Sequence, residues 1–347
     1  MKNQHMKQIN NIIRTLNLSK KKKCFFFGNT IKKESTNYYI TEVRESNRFI
    51  YIVGIFYNNN SAKKIAKAID GKVDLILVDT EKKVISKNKK NLVNIETSVK
   101  ENIKISKVFT YKGNDLTVQA AETFLTNYFL FFKDNRGLGG KKILILGSGN
   151  IGTKLGLKLV ENGAEVSLYR RNKKKLNYIV KTINSIVPLG TASKSNKFNF
   201  KDDLSNFDII IGCTSGKALI SKKIVNKISK KTIILDIGKG IFTKSGLNES
   251  INRNLSIFRL DISPAYNAYL ENVYSTRKLG RYINAKYKNF NNFNLIQRGV
   301  LGKKGCIIVD NTERPKKIFG ITDGFAGMKK LNQKKLRELK KKIIFKR

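Results

Sequence analysis

At 347 residues the chain exceeds a single typical core, so two domains are expected. Its 70 Lys and Arg against 25 Asp and Glu give a formal charge of +45, but the excess is mostly Lys scattered along a chain also rich in Asn and Ile. Codon bias in an AT-rich genome produces that mix, and only residues 20–23 and the tail beyond 329 cluster, so attraction for small anions is expected and a nucleic-acid face is not. The only histidine, His5, lies in a polar lead-in, which excludes histidine acid–base chemistry and His-ligated metals.

Cys24, Cys213 and Cys306 show no C-x-x-C spacing, fit a reducing compartment and exclude a zinc ribbon. Residues 2–14 lack the apolar core of a signal peptide, and the greasiest run, 123–132, is too short to span a bilayer. A soluble cytoplasmic protein is the expectation.

In chain order, residues 1–22 form a basic lead-in with a helical pattern over 9–16. Strand-like runs follow at 24–27, 38–43 and 49–56, then a helix over 61–69 and a strand at 73–78. Two further strands are predicted at 92–95 and 106–110. Alternating strands and helices without a glycine loop make residues 1–115 an α/β domain, the candidate substrate domain. A connecting helix is predicted within 116–136, ending at Gly137, Gly139 and Gly140.

The strongest signal comes next. An apolar strand over 143–146 runs into Gly147-Ser148-Gly149-Asn150-Ile151-Gly152, followed by a helical pattern and a second strand at 165–169. In that context G-x-G-x-x-G is a dinucleotide loop. Gly147 makes the tight turn, Gly149 admits the pyrophosphate, and Gly152 lets helix and strand pack closely. Ser148, Asn150 and Ile151 complete the loop, whose open amides hold phosphate. The second strand ends in Tyr169-Arg170-Arg171-Asn172, where an NAD-binding chain places an acid on the ribose hydroxyls. Arg170 and Arg171 suit a 2′-phosphate instead, so NADP(H) is favoured over NAD(H).

A helix over 173–187, a strand at 207–212, a helix near 221–228 and a strand at 232–237 complete a doubly wound, Rossmann-type NAD(P)-binding domain over 137–255. Its strand ends, Cys213-Thr214-Ser215 and Gly238-Lys239-Gly240, should border the nicotinamide, with Cys213, Thr214 and Gly238 as contacts. Cys213 has no histidine to activate it and reads as packing. Residues 256–347 hold strands at 256–260, 306–309 and 318–321, a helix opened by Pro264, and a basic amphipathic helix over 331–347 that reads as a packed lid. They are expected to pack back on the two domains.

A substrate domain, a connecting helix and then a nucleotide domain resembles the shikimate/quinate dehydrogenase family and its relatives, methylenetetrahydrofolate dehydrogenase and glutamyl-tRNA reductase. The resemblance covers residues 137–245 through Gly147, Gly149, Gly152, the Arg170-Arg171-Asn172 strand end and the two later strand ends. Shikimate dehydrogenases carry N-V-T-x-P-x-K and N-T-D stretches. Asn94-Ile95-Glu96-Thr97-Ser98-Val99-Lys100 keeps the Asn and Lys without the Pro, and Gly113-Asn114-Asp115 precedes the connecting helix. By resemblance Lys100 is the proton donor and Asp115 its orienting partner, although Asp115 also suits a helix cap. The Y-x-x-x-K pattern of short-chain dehydrogenases occurs at Tyr169, Tyr274 and Tyr282, as expected by chance in a chain so rich in lysine.

The expected function is an NADP(H)-dependent oxidoreductase acting on a small polar, anionic substrate of shikimate-like class, with no metal. The alternative is an NAD(P)-binding redox sensor or scaffold without hydride chemistry. Assembly as a homodimer stays open.

Overall fold

The computed structural model describes residues 2–30, 37–84, 93–133, 137–214, 216–238, 240–283 and 287–344; the side chains of 2–8 and 277–283 are not among them. The expectations placed on His5, Leu92, Ser215, Lys239 and the Lys278, Tyr282 and Lys286 side chains therefore lie outside the described residues. Two compact units divide the chain, 1–269 and 270–347.

The first unit opens with α1 (Lys2–Asn17), β1 (Lys22–Gly28), β2 (Tyr38–Ile40), β3 (Arg44–Glu45), β4 (Phe49–Phe56), α2 (Asn59–Ile69), β5 (Leu75–Asp79), α3 (Ile95–Lys100), β6 (Lys107–Tyr111) and α4 (Gly113–Phe132). Strand order is β2-β4-β1-β5-β6, with β3 also on β4. The four long strands run parallel and β2 and β3 antiparallel. Parallel strands covered on both faces read as continuous apolar runs, which is why Cys24-Phe25-Phe26-Phe27 carries no polar alternation. Phe25, Phe27, Ile50, Ile52 and Ile76 face α1, α2 and α3. Phe26 and Tyr51 point to the opposite face, where their rings meet Tyr266.

Where the sequence predicts a strand over 92–95, Ile95 instead opens α3. Asn94 explains the difference: its side chain accepts from the Thr97 amide at 3.3 Å, so it caps a helix and does not extend a strand. The loop after α3 is gripped by Asp70, which accepts from the amides of Lys104, Ile105 and Ser106 at 2.8–3.0 Å. Burial opposes ionisation of Asp70, but these bonds outweigh it and hold its carboxyl below the usual range. A depressed carboxylate stabilises the fold above its unfolded pKa and ceases to as pH falls. Asp70→Asn should therefore lower Tm at neutral pH, with the deficit shrinking as pH drops below about 4, in thermal melts across pH.

The nucleotide half follows as β7 (Lys142–Leu146), α5 (Asn150–Glu161), β8 (Glu165–Tyr169), α6 (Lys173–Ile186), β9 (Ser195–Lys197), β10 (Ile209–Gly212), α7 (Lys222–Val225), β11 (Ile233–Asp236), α8 (Lys244–Asn252), β12 (Ser256–Arg259) and α9 (Ser263–Ile283). The six strands are parallel in the order β12-β11-β10-β7-β8-β9. Renumbered within the domain this is 3-2-1-4-5-6, the dinucleotide-binding order, with its switch point between β7 and β10. Ile143, Ile145, Leu168, Ile211 and Leu235 pack under α4, α5 and α6. Leu144, Leu146, Ile210 and Ile234 pack on the other face with Ile220, Val225 and Ile241. The chain is therefore a two-sheet α/β protein with a doubly wound second sheet. Its sixth strand lies beyond the boundary expected at 255.

The second unit has its own sheet, in the order β13 (Lys288–Phe290), β14 (Phe293–Gln297), β15 (Ile307–Val309), β16 (Ile318–Thr322) and β17 (Met328–Lys329), and ends in α10 (Gln333–Ile343). Leu339 and Ile343 of α10 join Leu295, Ile307 and Val309 in a separate core. The tail expected to act as a lid thus contributes its apolar stripe to this unit's own interior.

Candidate active site

A cavity of about 990 Å³ lies within the first unit, at the carboxyl ends of both sheets. Gly28, Asp79 and Tyr111 border it from the first sheet, and Gly147, Cys213 and Gly238 from the second.

On the nucleotide side the glycines are fixed by close approach. Gly147 has φ +113°, and a Cβ there would stand 2.7 Å from the Cys213 carbonyl oxygen. A Cβ on Gly152 would meet the Gly147 carbonyl oxygen at 2.2 Å, whereas one on Gly149 would find open space. Gly149 is the N-cap of α5 and makes no side-chain cap, and no acid occupies the first turn. The first amides of a helix lack intrahelical acceptors, so this end is left open to an anion. The pyrophosphate of a dinucleotide fits these features.

Ser148, Gly149, Asn150, Ile151, Thr214 and Gly238 border the cavity with Gly147 and Cys213, while Gly152 lies beneath the loop. The Arg pair divides its labour. The Arg170 guanidinium donates to the Ser148 carbonyl and braces the loop, while Arg171 is exposed at the rim. Asn172 caps α6 through the Lys175 amide at 2.9 Å. Cys213 is no nucleophile: burial, and then the nearby Asp236, push its thiol up to about 12. Lys173 of the Tyr169 motif lies over the Tyr169 ring at 5.6 Å, a packing contact.

Lys100 and Asp115 are not brought together. Lys100 ends α3, ahead of the loop that leads to the start of β6, so it stands toward the amino ends of the strands, away from the cavity. Its ammonium pairs with Glu96 one turn back at 2.5 Å. Asp115 pairs with Lys154 of α5, and its side chain is 45% exposed. The resemblance of residues 94–100 to a catalytic stretch fails because the missing Pro leaves Asn94 free to start a helix.

A different lysine and acid occupy the cavity. Asp79 ends β5 with its side chain 1% exposed, and Lys83 donates to it at 2.8 Å and to Glu81 at 2.9 Å. The same carboxylates cap α4. Asp79 accepts from the Gly113 amide at 3.3 Å and Glu81 from the Asn114 amide at 2.7 Å. Gly113 is required here, since a Cβ would come within 2.8 Å of both Asp79 Oδ2 and Lys83 Nζ. Burial raises the Asp79 pKa, and Lys83 together with the Glu81 and Gly113 amides only partly offsets it. Among the described residues two of the three Lys83 N–H donors are thus engaged, by Asp79 and Glu81. Asn29 sits beside the pair. Its Nδ2 donates to the Glu81 carbonyl at 2.6 Å, and its buried Oδ1 has no partner among the described residues. The signal for this cluster was a strand running Leu75-Ile76-Leu77-Val78-Asp79 into an acid, with a Lys four residues on. Strand-end logic applied to Cys213 would have found it.

Among the described residues no group of three or more His, Cys, Asp or Glu is placed to hold a metal, and no helix is long and apolar enough to cross a membrane.

Comparison with known proteins agrees with the fold. Residues 143–259 match the family of ketopantoate reductase PanE/ApbA. A glycerol-3-phosphate dehydrogenase [NAD(P)+] of Clostridium botulinum (strain Eklund 17B / Type B) is 32% identical over 123 residues, 33% of this chain and 37% of that protein. Its counterpart from strain Alaska E43 / Type E3 is 33% identical over 107 residues, 29% and 32% of the two chains. The chain thus spans about a third of the length of these curated relatives. Among solved structures, a shikimate dehydrogenase in complex with NADP+ aligns at 13% identity and TM-score 0.39, covering 69% of this chain and 84% of that one. A dipicolinate synthase from Bacillus halodurans aligns at 10% and 0.35, covering 74% and 97%. Through its second sheet the chain is related to NAD(P)-dependent dehydrogenases and reductases.

Proposed function

We propose that the protein is an NADP(H)-dependent oxidoreductase that moves a hydride to or from a small, polar, anionic substrate. The supporting observation is that one cavity joins an open α5 N-terminus, the exposed Arg171 and the Lys83–Asp79 pair. Bound NADP(H) would supply the hydride. The glycine loop holds its pyrophosphate, Arg171 its 2′-phosphate, and Lys83 passes a proton to or from the substrate oxygen. Asp79 and Glu81 orient Lys83, taking the parts the resemblance gave to Lys100 and Asp115. The substrate belongs to the shikimate-like hydroxyl/ketone class in size and polarity, and catalysis takes place in the cytoplasm.

Fluorescence titration with NADPH and NADH tests the cofactor, and a panel of hydroxy acids tests the reaction. Arg171→Ala should weaken NADPH about tenfold to a hundredfold and leave NADH unchanged. Arg170→Ala should weaken both alike, because it loosens the loop. A native preference for NADH would sink the 2′-phosphate role, and failure to bind either would sink the enzyme reading.

A further inference from the structure

The second unit presents apolar side chains to solvent beside a cluster of lysines. Residues 298–306 lead back from β14 to the start of β15 and lock onto the turn 323–327 that follows β16. The Thr322 hydroxyl donates to the Lys303 carbonyl, and the Gly305 amide donates to the Thr322 carbonyl at 3.1 Å. A Cβ on Gly302 would meet the Thr322 methyl at 3.3 Å, and one on Gly324 would meet the Lys304 Cβ at 3.0 Å. Met328 stands opposite Thr322 in the β16–β17 ladder, so it shares this face of the sheet. On these joined loops Leu301 is 72% exposed, Phe325 89% and Met328 46%. Exposed apolar groups gathered in this way mark a contact surface.

We propose that this patch docks the protein reversibly on the surface of an anionic lipid bilayer, with Leu301 and Phe325 entering the headgroup layer and the surrounding lysines meeting its charge. Backbone groups at both tips are paired while the apolar side chains are bare. Asp323 accepts from the Phe325 and Gly327 amides at 2.8 and 3.0 Å, and the Tyr287 hydroxyl donates to the Leu301 carbonyl at 3.3 Å. Polar groups paired in this way lower the cost of leaving water. Lys303, Lys304, Lys329 and Lys330 flank the tips, all exposed and none in an ion pair among the described residues. Asp323 is the one acid in either loop. Residues 270–347 as a whole hold 21 Lys and Arg against 5 Asp and Glu, a steeper excess than the 70 against 25 of the full chain, so the partner is an anion. A nucleic acid would also meet the lysines, but bases gain by stacking on π faces, which Leu301 and Met328 lack. Both gain by leaving water for the acyl boundary. Docking of this kind needs no spanning helix, and it does not depend on the oxidoreductase reading.

The chain contains no tryptophan, so Phe325→Trp in the full-length protein places a single fluorescent reporter at the loop tip. Vesicles of equal parts phosphatidylcholine and phosphatidylglycerol should shift its emission to the blue, and vesicles of phosphatidylcholine alone should not. In cosedimentation with the anionic vesicles, Leu301→Ser/Phe325→Ser should weaken binding about tenfold to a hundredfold. Lys303→Gln/Lys304→Gln should weaken it about tenfold to thirtyfold, and added salt should release the unaltered protein. Tm should hold in every variant, because all four side chains are exposed. Emission that the anionic vesicles leave unshifted overturns the proposal, as does equal binding by the Ser variant. Emission already blue without vesicles places Phe325 against the protein itself or a second copy, and also overturns it. So does binding of a labelled single-stranded oligonucleotide, read by anisotropy, that the two Ser substitutions weaken while vesicles are not bound; the patch then belongs to nucleic acid.

Discussion

Replacing Lys83 with methionine should cut kcat about a hundredfold to ten-thousandfold while leaving NADPH affinity unchanged, as read by stopped-flow NADPH oxidation and by fluorescence titration. The magnitude is that of a lost general acid, since the ammonium has one N–H free of Asp79 and Glu81 and borders the cavity. The variant should stay folded because both carboxylates keep their α4 amides and remain favourably placed at a helix N-terminus. Lys100→Met is the matched control. Its ammonium spans one turn of α3 to Glu96, so activity should not change. Equal losses in the two variants would remove Lys83 from the chemistry.

The glycine loop should separate into a glycine needed for folding and one needed only for the ligand. In Gly152→Ala the new Cβ would strike the Gly147 carbonyl oxygen at 2.2 Å. Gly147 has little room to give way, because its amide donates to the Tyr169 carbonyl at 3.1 Å and the space beside its Cα is closed by the Cys213 carbonyl. Overpacking of this kind costs about 1–3 kcal/mol, a Tm loss of about 2–8 °C, and the displaced loop should lose NADPH binding by about a hundredfold or more. Gly149→Ala meets nothing within 4 Å, and its backbone lies in the extended region open to any residue. Tm should hold while NADPH affinity falls, because the methyl group occupies the path of the pyrophosphate. Differential scanning calorimetry beside fluorescence titration separates the two effects. A Gly149→Ala protein that binds NADPH normally would place the phosphate elsewhere.

How much was legible depended on how local the determinant was. The β7 to β8 stretch could be read because its strand, turn and helix signals lie within one run of sequence, each consistent with the next. Phe49–Phe56 could be read because a strand buried on both faces is apolar throughout. The edge strands β3 and β9 escaped notice because two or three polar residues become strand only when a neighbour supplies the ladder. That Lys100 and Asp115 stand apart could not be read for a related reason. Spacing to a family pattern selected Lys100, but which end of a sheet a residue occupies follows from chain direction and strand pairing. Asp79 could have been picked out by its place at the carboxyl end of a strand, but that Lys83 and Glu81 close on one another beside it follows only from the folded chain.

The connecting helix α4 has a meaning for anyone recombining this protein with others. Its first turn is held by Asp79 and Glu81, and its later residues Val118, Ala121, Leu125 and Phe129 are embedded in the core beneath the second sheet. It acts as a spacer bar, whose length and angular phase set how far Asp79 and Lys83 stand from the glycine loop. One inserted residue would advance the bar by about 1.5 Å and turn it by about 100°. A chimaera that borrows another first domain should therefore be joined upstream of β5 or beyond Phe132, with the helix inherited whole.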